Sequence, residues 1–350
     1  MTGTALSLPV LAVGVPAVPL VAFLDALGQF LRPETLFGVF VDGLAKSALF
    51  VMIAAGLTLI FGLMGVLNFA HGSLTMIGAY LGGLVMVLFV SDPTGDLTRL
   101  VVFFGAVLIV FGLLAALGGA LEVGLIRPLY DRPPIYQILL TFGVTLVLDE
   151  LVRIVVQFYG LQPISDWQAA LGTKPGFLTA TYDLGATSVA GLRLFEIAFG
   201  VLTVVAVWAF LTRTRYGLVV RAGSEDAEMT EALGIDVRQV FTVVFALGAG
   251  IAGVAGALLM WDKNWAASVP LAAETLLPAF VVVIVGGLGT FRGTVYAAVL
   301  VGMVDAVMTW WFVNAVAFTG LPEMTVFLIL VLVLVVRPQG LFGLAEVGGH

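Results

Sequence analysis

Cysteine is absent from this sequence, and charged residues are scarce. Of the 350 residues only 11% are charged and two are histidines, whereas soluble domains carry about 25% charged residues. The absence of cysteine excludes disulfides, thiolate zinc sites and cysteine nucleophiles, and His71 and His350 leave little for a metal site. We therefore expect no metal and no cofactor bound by this chain. The net charge of −7 provides no basic face, so nucleic acid is not an expected partner.

Hydrophobic residues make up 61% of the chain, and the mean hydropathy is +1.15. Apolar stretches of about 20 residues recur from end to end, each long enough to cross a bilayer core of roughly 30 Å. The alternating pattern of a membrane β-barrel is absent, so the spans are predicted to be helices. The sequence predicts an all-α fold, a single transmembrane helical bundle over residues 1–350 with about eight to ten spans. The candidate stretches are 1–31, 41–63, 69–90, 100–124, 135–158, 192–211, 237–261, 276–286, 293–312 and 324–336.

Two regions depart from a regular span. The stretch 276–286 is short and ends in glycine, and glycines interrupt residues 62–72. Interrupted helices of this kind occur in transporters near the middle of the bilayer. We therefore expect one or both regions to be broken or re-entrant.

The distribution of Lys and Arg in the loops favours an orientation with both chain termini in the cytoplasm. Arg213, Arg215 and Arg221 cluster in one short loop, which strengthens this assignment. We expect residues 212–236 to form a cytoplasmic loop where a soluble partner docks. Residues 159–191, which contain several Gly and Pro residues, are expected to form an extracytoplasmic loop that caps the bundle.

Residues 56–72, GLTLIFGLMGVLNFAHG, place polar side chains among helix-breaking glycines at membrane depth. A broken helix is tolerated in a bilayer only where protein or a water-filled cavity surrounds its backbone. A half-helix N-terminus here would offer unpaired amides and a partial positive charge, which suit a carboxylate. The alternative is that Asn68 and His71 only hold helices together through hydrogen bonds. The predicted lining residues of the translocation pathway are Asn68, His71, Ser73 and Thr75.

The loop 212–236 contains a polar segment, residues 221–236, between two apolar spans. Ser224 is a candidate N-cap followed by acidic residues, and Gly234 is a candidate C-terminal residue in the left-handed conformation. These features predict a short helix parallel to the membrane, with a small-residue face. It is either a docking site for another protein or a solvated loop helix without a partner.

Ionisable residues inside the predicted spans are further functional candidates. Arg153 lies three and four residues after Glu150 and Asp149, a spacing that places partners on one helix face. We favour a structural ion pair over a proton relay there. Three other residues of this kind, either functional or paired near an interface, are Lys46, Glu196 and Asp305.

Glycine-rich stretches are predicted to serve packing and turns. Gly248, Ala252 and Gly256 form a ridge of small residues that permits close contact between helices. Residues 286–293, GGLGTFRG, join two apolar helices and lack the strand and helix context of a phosphate-binding loop. We expect a tight cytoplasmic turn anchored by Arg292.

Three motifs together resemble the permeases of the branched-chain amino-acid ABC importer family. They are residues 56–72, the segment 221–236, and the pair VGGLG at 285–289 and RPQGLFG at 337–343. The resemblance implies a permease subunit for branched-chain or other hydrophobic amino acids in a bacterial or archaeal cytoplasmic (inner) membrane. It also implies two cytoplasmic ATPase subunits, a second permease subunit that is a paralogue or a copy, and a periplasmic solute-binding protein. ATP hydrolysis then belongs to the partners, and this chain is a transport subunit without catalytic residues.

The resemblance also gives the loop helix a role. The segment is similar to the Glu-Ala-Ala-x-x-x-Gly loop of importer permeases, with a shortened spacing before the glycine. This implies a coupling helix that contacts the ATPases. Its coupling residues are expected to be Glu225, Ala227, Glu231, Ala232 and Gly234.

Other functions stay open at the level of the sequence. The same family serves urea and short amides. A stand-alone channel or secondary carrier is equally compatible with the composition and would move its solute without ATP. A membrane enzyme is disfavoured, because no GxxxxGK[ST], HExxH or GxSxG motif occurs.

Overall fold

The computed structural model describes residues 20–91, 93–160, 167–185, 187–225, 229–230, 234–316 and 322–343. Within these ranges the chain is mostly helical, with one two-stranded antiparallel sheet of β1 (Thr181–Asp183) and β2 (Ser188–Ala190). A π turn and a 3-10 turn follow α4, and a second π turn follows α12. The helices are α1 (Leu20–Phe30), α2 (Pro33–Met64), α3 (His71–Phe89), α4 (Asp96–Leu121), α5 (Pro134–Phe158), α6 (Gln168–Leu171), α7 (Gly176–Thr179), α8 (Gly191–Arg213), α9 (Arg215–Glu225), α10 (Val237–Leu259), α11 (Leu271–Gly286), α12 (Phe291–Trp311) and α13 (Pro322–Val336).

Six of the described helical segments are long and apolar enough to cross a membrane, and the shorter helices Leu271–Gly286 and Met324–Val336 are also apolar. The predicted polytopic helical bundle is confirmed. Eight to ten spans were predicted, and within the described residues six segments meet this description; α5, which covers the predicted span 135–158, is not among them. The predicted first span, 1–31, lies largely outside the described residues, and its described part, α1, has 11 residues. The six long segments are Pro33–Met64, His71–Phe89, Asp96–Leu129, Gly191–Arg213, Val237–Leu259 and Phe291–Ala315.

The antiparallel packing of α2 against α12 defines the two ends of the bundle. The hydroxyl oxygens of Thr58 and Thr294 lie 2.8 Å apart, and Gly62 contacts the backbone of Gly289. We call the end at Gly62 and Gly289 the inner end, and the opposite end, where residues 167–185 pack, the outer end. The inner end is the side that the arginine distribution predicts to be cytoplasmic.

Small residues allow the central helices to approach closely. Gly248 of α10 packs against Gly56 of α2, and a Cβ atom added at Gly256 would lie 1.9 Å from the carbonyl oxygen of Thr75. Ala252 between them is also buried. The predicted ridge of small residues is therefore a packing surface, where backbones meet without intervening side chains.

The helix α3 begins halfway along the bundle. The His71 ring nitrogen Nε2 lies 2.8 Å from the carbonyl oxygen of Ile53, and Ile53 precedes the end of α2 at Met64 by eleven residues. At the rise of an α-helix, this distance is about 16 Å. Residues 65–70 therefore turn back into the bundle before α3 starts.

The helix α11 begins beside the start of α3 and runs to the inner end. A Cβ atom at Gly72 would lie 2.0 Å from the carbonyl oxygen of Ala272, and Gly286 at the end of α11 packs against Gly293. The two half-depth helices thus start side by side and run towards opposite ends. This agrees with the predicted broken or re-entrant segments.

The chain between α10 and α11 also returns to mid-depth. It passes through buried residues that include Trp261, Asp262 and Ala267, and Ala266 adopts a φ of 45°. Non-helical backbone at this depth is tolerated because protein surrounds it.

Candidate functional site

The interruption between α2 and α3 is built by Gly65 and Asn68. Gly65 has a φ of 64°, and its N–H bonds to the carbonyl oxygen of Phe61, which closes the last turn of α2. The Asn68 side-chain oxygen accepts a hydrogen bond from the N–H of Ala70 at 3.1 Å. The glycine supplies the left-handed turn and the asparagine supplies a local cap, so the sequence specifies the break at this place.

His71 connects α3 to α2. Because a carbonyl oxygen only accepts hydrogen bonds, Nε2 of His71 donates to Ile53. The ring fits because position 56 is glycine: a Cβ atom there would lie 2.9 Å from Cε1 of His71. In this conformation His71 holds two helices together, which is the alternative considered for it in the sequence.

Asn68 and His71 nevertheless keep unused polar atoms. Both residues are fully buried, and the Asn68 nitrogen Nδ2 and the His71 nitrogen Nδ1 have no hydrogen-bond partner. Asn68 borders a cavity of about 10 Å³ that Thr141 and Phe245 also line, which is close to the volume needed for one water molecule. A buried polar atom without a hydrogen-bond partner destabilises the folded state. A polar molecule passing this point could form the missing hydrogen bonds.

Ser73 and Thr75 lie two and four residues after His71 on α3. The Ser73 hydroxyl donates to Oδ1 of Asp149 on α5 at 2.6 Å, whereas the Thr75 hydroxyl donates to the carbonyl oxygen of His71 at 3.1 Å. The four residues predicted for the pathway are thus brought together at the start of α3. Their role in the pathway stays a prediction.

The predicted ion pair on α5 forms with one of the two candidate partners. Arg153 Nε lies 3.3 Å from Oε2 of Glu150, while Asp149 bonds to Ser73 instead. The Arg153 and Glu150 side chains are 48% and 63% exposed in the chain taken alone. The Arg153–Glu150 pair is therefore not a buried ion pair shielded from solvent within this chain.

The other predicted ionisable residues are paired as well. Lys46 bonds to Asp305 and, at 3.0 Å, to the hydroxyl of Thr309. Arg193 contacts Glu196 at 2.9 Å and Asp262 at 2.8 Å. Both groups lie in the outer half of the bundle. Their contacts tie α2 to α12 and α8 to the segment after α10.

A charged cluster at the inner end was missed by the sequence analysis. Arg127 bonds to both carboxylate oxygens of the buried Glu122, at 3.2 and 3.1 Å, and Thr242 donates to the same carboxylate at 2.6 Å. Burial, followed by the hydrogen bond to Glu122, raises the pKa of Tyr130. The signal in the sequence was an acidic residue at the end of an apolar stretch with an arginine little more than one helical turn later.

The loop predicted to carry the coupling helix contains α9, which extends from Arg215 to Glu225. The prediction that Ser224 begins a helix is wrong, because the backbone at 224 already belongs to the last turn of α9. Gly234 does have the predicted left-handed φ, at 81°, and the Asp236 side chain caps α10 by accepting from the N–H of Gln239. Ala227, Glu231 and Ala232 lie outside the described residues.

Two glycine motifs meet at the inner end. The N–H groups of Leu341 and Phe342 bond to the carbonyl oxygens of Val285 and Gly286, at 2.7 and 3.1 Å. Gly287 and Gly289 adopt φ angles of 97° and 82°, which L side chains rarely accept. The predicted tight turn is present and is held by the segment 337–343, whereas an anchoring role of Arg292 stays a prediction.

A cavity of about 270 Å³ lies between α9 and this turn. Residues of α9 and of the turn that follows α11 both line it. The residues that line it are Thr58, Leu59, Gly62, Trp208, Leu211, Thr212, Val220, Arg221, Gly289, Thr290, Phe291 and Arg292.

Known proteins share this sequence pattern over most of its length. The family described as branched-chain amino acid transport system / permease component matches residues 39–337. The high-affinity branched-chain amino acid transport system permease protein LivH of Escherichia coli is 26% identical over 87% of this chain and 95% of its own. BraD of Pseudomonas aeruginosa is 26% identical over 88% and 95%, and a probable LivH of Methanocaldococcus jannaschii is 27% identical over 85% and 89%.

One solved structure also aligns with the chain. PsaBC from Streptococcus pneumoniae in complex with Fab covers 91% of this chain and 97% of its own at 14% identity, with a TM-score of 0.42, which is too distant a similarity to assign a fold. The family match extends from the second turn of α2 through α13. The chain is therefore a multi-pass membrane protein that belongs to the branched-chain amino acid transport permease family.

Proposed function

We propose that this chain is a membrane subunit of an ATP-driven importer for branched-chain or other hydrophobic amino acids. The observation that carries the proposal is the family match over residues 39–337. Relatives in two bacteria and an archaeon are named for branched-chain amino acid transport. The cytoplasmic (inner) membrane is the proposed location, with the inner end facing the cytoplasm.

The proposed partners are two cytoplasmic ATPase subunits, a second permease subunit and a periplasmic solute-binding protein. The sequence has no phosphate-binding loop, so another subunit must hydrolyse ATP. Docking of the ATPases is assigned to the loop 212–236 at the inner end. The contact residues in this proposal are Glu225, Ala227, Glu231, Ala232 and Gly234.

The solute is proposed to pass the start of α3, beside Asn68, His71, Ser73 and Thr75. Two helix N-termini meet there, at Gly72 and Ala272, so two partial positive charges point to the same level of the bundle. The unused atoms Nδ2 of Asn68 and Nδ1 of His71 add polar groups without a fixed net charge. The helix N-termini and the Asn68 amide suit the carboxylate of a zwitterion that binds briefly and moves on. Nδ1 of His71 is an acceptor, because Nε2 donates to Ile53, and suits the ammonium group.

Transport requires movement at this level. The cavity beside Asn68 is about 10 Å³, too small for an amino acid, and α3 and α11 touch at Gly72. Neighbouring elements lie between this point and the docking loop: α9 lines the inner cavity together with Gly289, and the turn at Gly289 directly follows α11. ATP-driven closure of the ATPases would act on α9, shift this turn and separate α11 from α3.

The proposal is tested by ATPase activity of the reconstituted importer. We expect stimulation by the solute-binding protein loaded with leucine, isoleucine or valine, and no stimulation by that protein with urea or acetamide. Stimulation by urea or acetamide instead would leave the importer architecture in place but change the solute. Solute flux through this chain without ATPases would identify a channel or carrier and contradict the proposal.

A further inference from the structure

The inner cavity, of about 270 Å³, has a wall of two kinds. Residues of α2, α8, α9 and the turn after α11 line it. Hydrophobic residues that include Leu59, Leu211 and Phe291 are joined there by Arg221 and Arg292. Among the described residues, no acidic side chain borders the cavity. The cavity therefore offers both apolar surface and positive charge to a ligand.

A third arginine lies beside the cavity. The guanidinium carbon Cζ of Arg213, the last residue of α8, is 5.7 Å from the centre of the Trp208 ring, and Trp208 lines the cavity. Arg292 is exposed and has no ion-pair partner within the part of the chain that the structure describes. Together with Arg221, these side chains form a group of three cations at the inner end.

The cavity lies at the level where α8 leaves the hydrocarbon. This helix is one of the six that are long and apolar enough to cross a membrane, and it has no charged residue between Glu196 and Arg213. Val201, Val205 and Trp208 are exposed, and their spacing of four and three residues places them on one face. Tryptophan is enriched where the hydrocarbon meets the lipid headgroups. The exposed apolar face of α8 thus leads directly to the cavity at headgroup level.

An anionic phospholipid is the ligand that this arrangement fits. Arginine binds phosphate oxygens through two parallel hydrogen bonds, and basic pockets between transmembrane helices on the cytoplasmic side bind anionic headgroups. Pockets for small molecules enclose roughly 300–1,000 Å³, so a cavity of about 270 Å³ accepts a headgroup but not a whole lipid. A soluble phosphate ester has the same charged group, but it would gain nothing from the apolar face of α8.

We propose that the inner cavity binds the headgroup of an anionic phospholipid from the bilayer leaflet at the inner end. The phosphate contacts Arg221 and Arg292, with Arg213 close by, while the acyl chains remain in the bilayer against the exposed face of α8. This site is separate from the proposed solute path at the start of α3.

The bound headgroup has a consequence for coupling, which rests on the proposed function. It would contact both α9 and the turn after α11, and these are the elements on which the ATPases are proposed to act. A ligand that holds both elements strengthens the connection between them. We therefore expect anionic lipid to increase the stimulation of ATP hydrolysis by the loaded solute-binding protein.

The test of binding uses tryptophan fluorescence of the complete importer in phosphatidylcholine vesicles. Brominated phosphatidylglycerol or brominated phosphatidylcholine is added at equal mole fraction, because bromine quenches a tryptophan that it contacts. This chain has six tryptophans, so the difference between the native importer and the Trp208→Phe variant isolates the signal of Trp208. Three further variants are compared: Arg292→Gln, Thr212→Phe, which narrows the cavity but keeps the arginines, and Arg132→Gln. Arg132 is the matched control, since it is exposed at the same end but does not line the cavity.

We expect phosphatidylglycerol to quench Trp208 more strongly than phosphatidylcholine does. Arg292→Gln should lower the preference for phosphatidylglycerol about fivefold, the factor that corresponds to about 1 kcal/mol per arginine near an anionic lipid. Thr212→Phe should lower the preference as well, and Arg132→Gln should leave it unchanged.

Three results would overturn the proposal. Equal quenching by the two lipids would mean that the cavity is empty or filled by protein. A preference that survives Arg292→Gln and Thr212→Phe would indicate general attraction to the charged surface rather than binding in the cavity. Complete loss of the preference on addition of glycerol 3-phosphate at the concentration of the lipid would identify a site for soluble phosphate esters.

The quenching experiment needs neither solute nor ATP, so its result does not depend on the proposed function. ATPase stimulation by the leucine-loaded binding protein is then compared with and without phosphatidylglycerol, in the native importer and in the Arg292→Gln variant. Equal stimulation in both kinds of vesicle, despite selective quenching, would contradict the effect on coupling and leave the lipid site in place. Stimulation by urea instead of leucine would contradict the proposed solute alone.

Discussion

The Nε2 atom of His71 lies 2.8 Å from the carbonyl oxygen of Ile53, and this contact sets the depth at which α3 begins. The meeting of α3 with α11 at Gly72 and the contact of Asp149 with Ser73 lie at the same level. His71 is therefore a structural contact whose second ring nitrogen remains unused.

Replacing Asn68 or His71 with leucine is expected to reduce solute uptake strongly while the ATPases remain bound. Leucine fills the space but supplies no polar atom at the start of α3. Uptake and co-purification of the ATPases are measured on the same membranes. Normal uptake by both variants would place the pathway elsewhere and leave His71 as a packing residue.

The meeting point of the half-depth helices is tested by Gly72→Ala. The new Cβ would lie 2.0 Å from the backbone oxygen of Ala272, so α3 and α11 must separate, at a cost of about 1–3 kcal/mol. Gly112→Ala on α4 is the matched control, because nothing lies within 4 Å of its Cβ, and it should stabilise the helix by up to about 1 kcal/mol. Thermal unfolding in detergent measures both. Equal stability of the two variants would show that the close approach at Gly72 is absent.

The contact between α3 and α5 is tested with Ser73→Ala. Loss of a hydrogen bond to a carboxylate should cost about 1.5–3 kcal/mol, because the Ser73 hydroxyl donates to Asp149 at 2.6 Å. In a double-mutant cycle with Asp149→Asn, the effects on thermal stability should not add. Additive effects would mean that the two side chains do not interact in solution.

The loop 212–236 is tested with Gly234→Trp. We expect the ATPases to dissociate and uptake to stop, while thermal stability changes little beyond the strain of a side chain at a φ of 81°. Gly160→Trp is the control, since Gly160 has a φ of 71° and equally open surroundings but lies at the outer end. Loss of the ATPases in both variants would indicate backbone strain rather than a docking surface.

The general architecture followed from the sequence because hydrophobic length and the scarcity of charge predict membrane helices directly. The break near Asn68 was also visible, since glycines and polar residues interrupt an apolar run. The partners of individual charged residues could not be predicted. Asp149 bonds to Ser73 and Arg153 to Glu150, and these pairings depend on how α5 is rotated against α3. The rotation of a helix cannot be read from a single sequence in which apolar residues occur on all sides of the helix.

The start of the coupling segment was misplaced for a related reason. Ser224 followed by acidic residues is a typical helix N-terminus, but the polar run is equally compatible with the last turn of a helix that began at Arg215. The ends of α10 and α12 were easier to place, because the apolar runs stop there. The buried Glu122 escaped notice because a single acidic residue at the end of a span is usually solvated.

Uptake of radiolabelled leucine into proteoliposomes tests whether this chain works as a subunit of an ATP-driven importer. The vesicles contain this chain, its second permease and the ATPases, with the solute-binding protein outside and ATP inside. We expect leucine accumulation that requires ATP hydrolysis and the binding protein, and that stops when the Gly234→Trp variant replaces the native chain. Leucine entry that is equally fast without ATP or without the ATPases would contradict it.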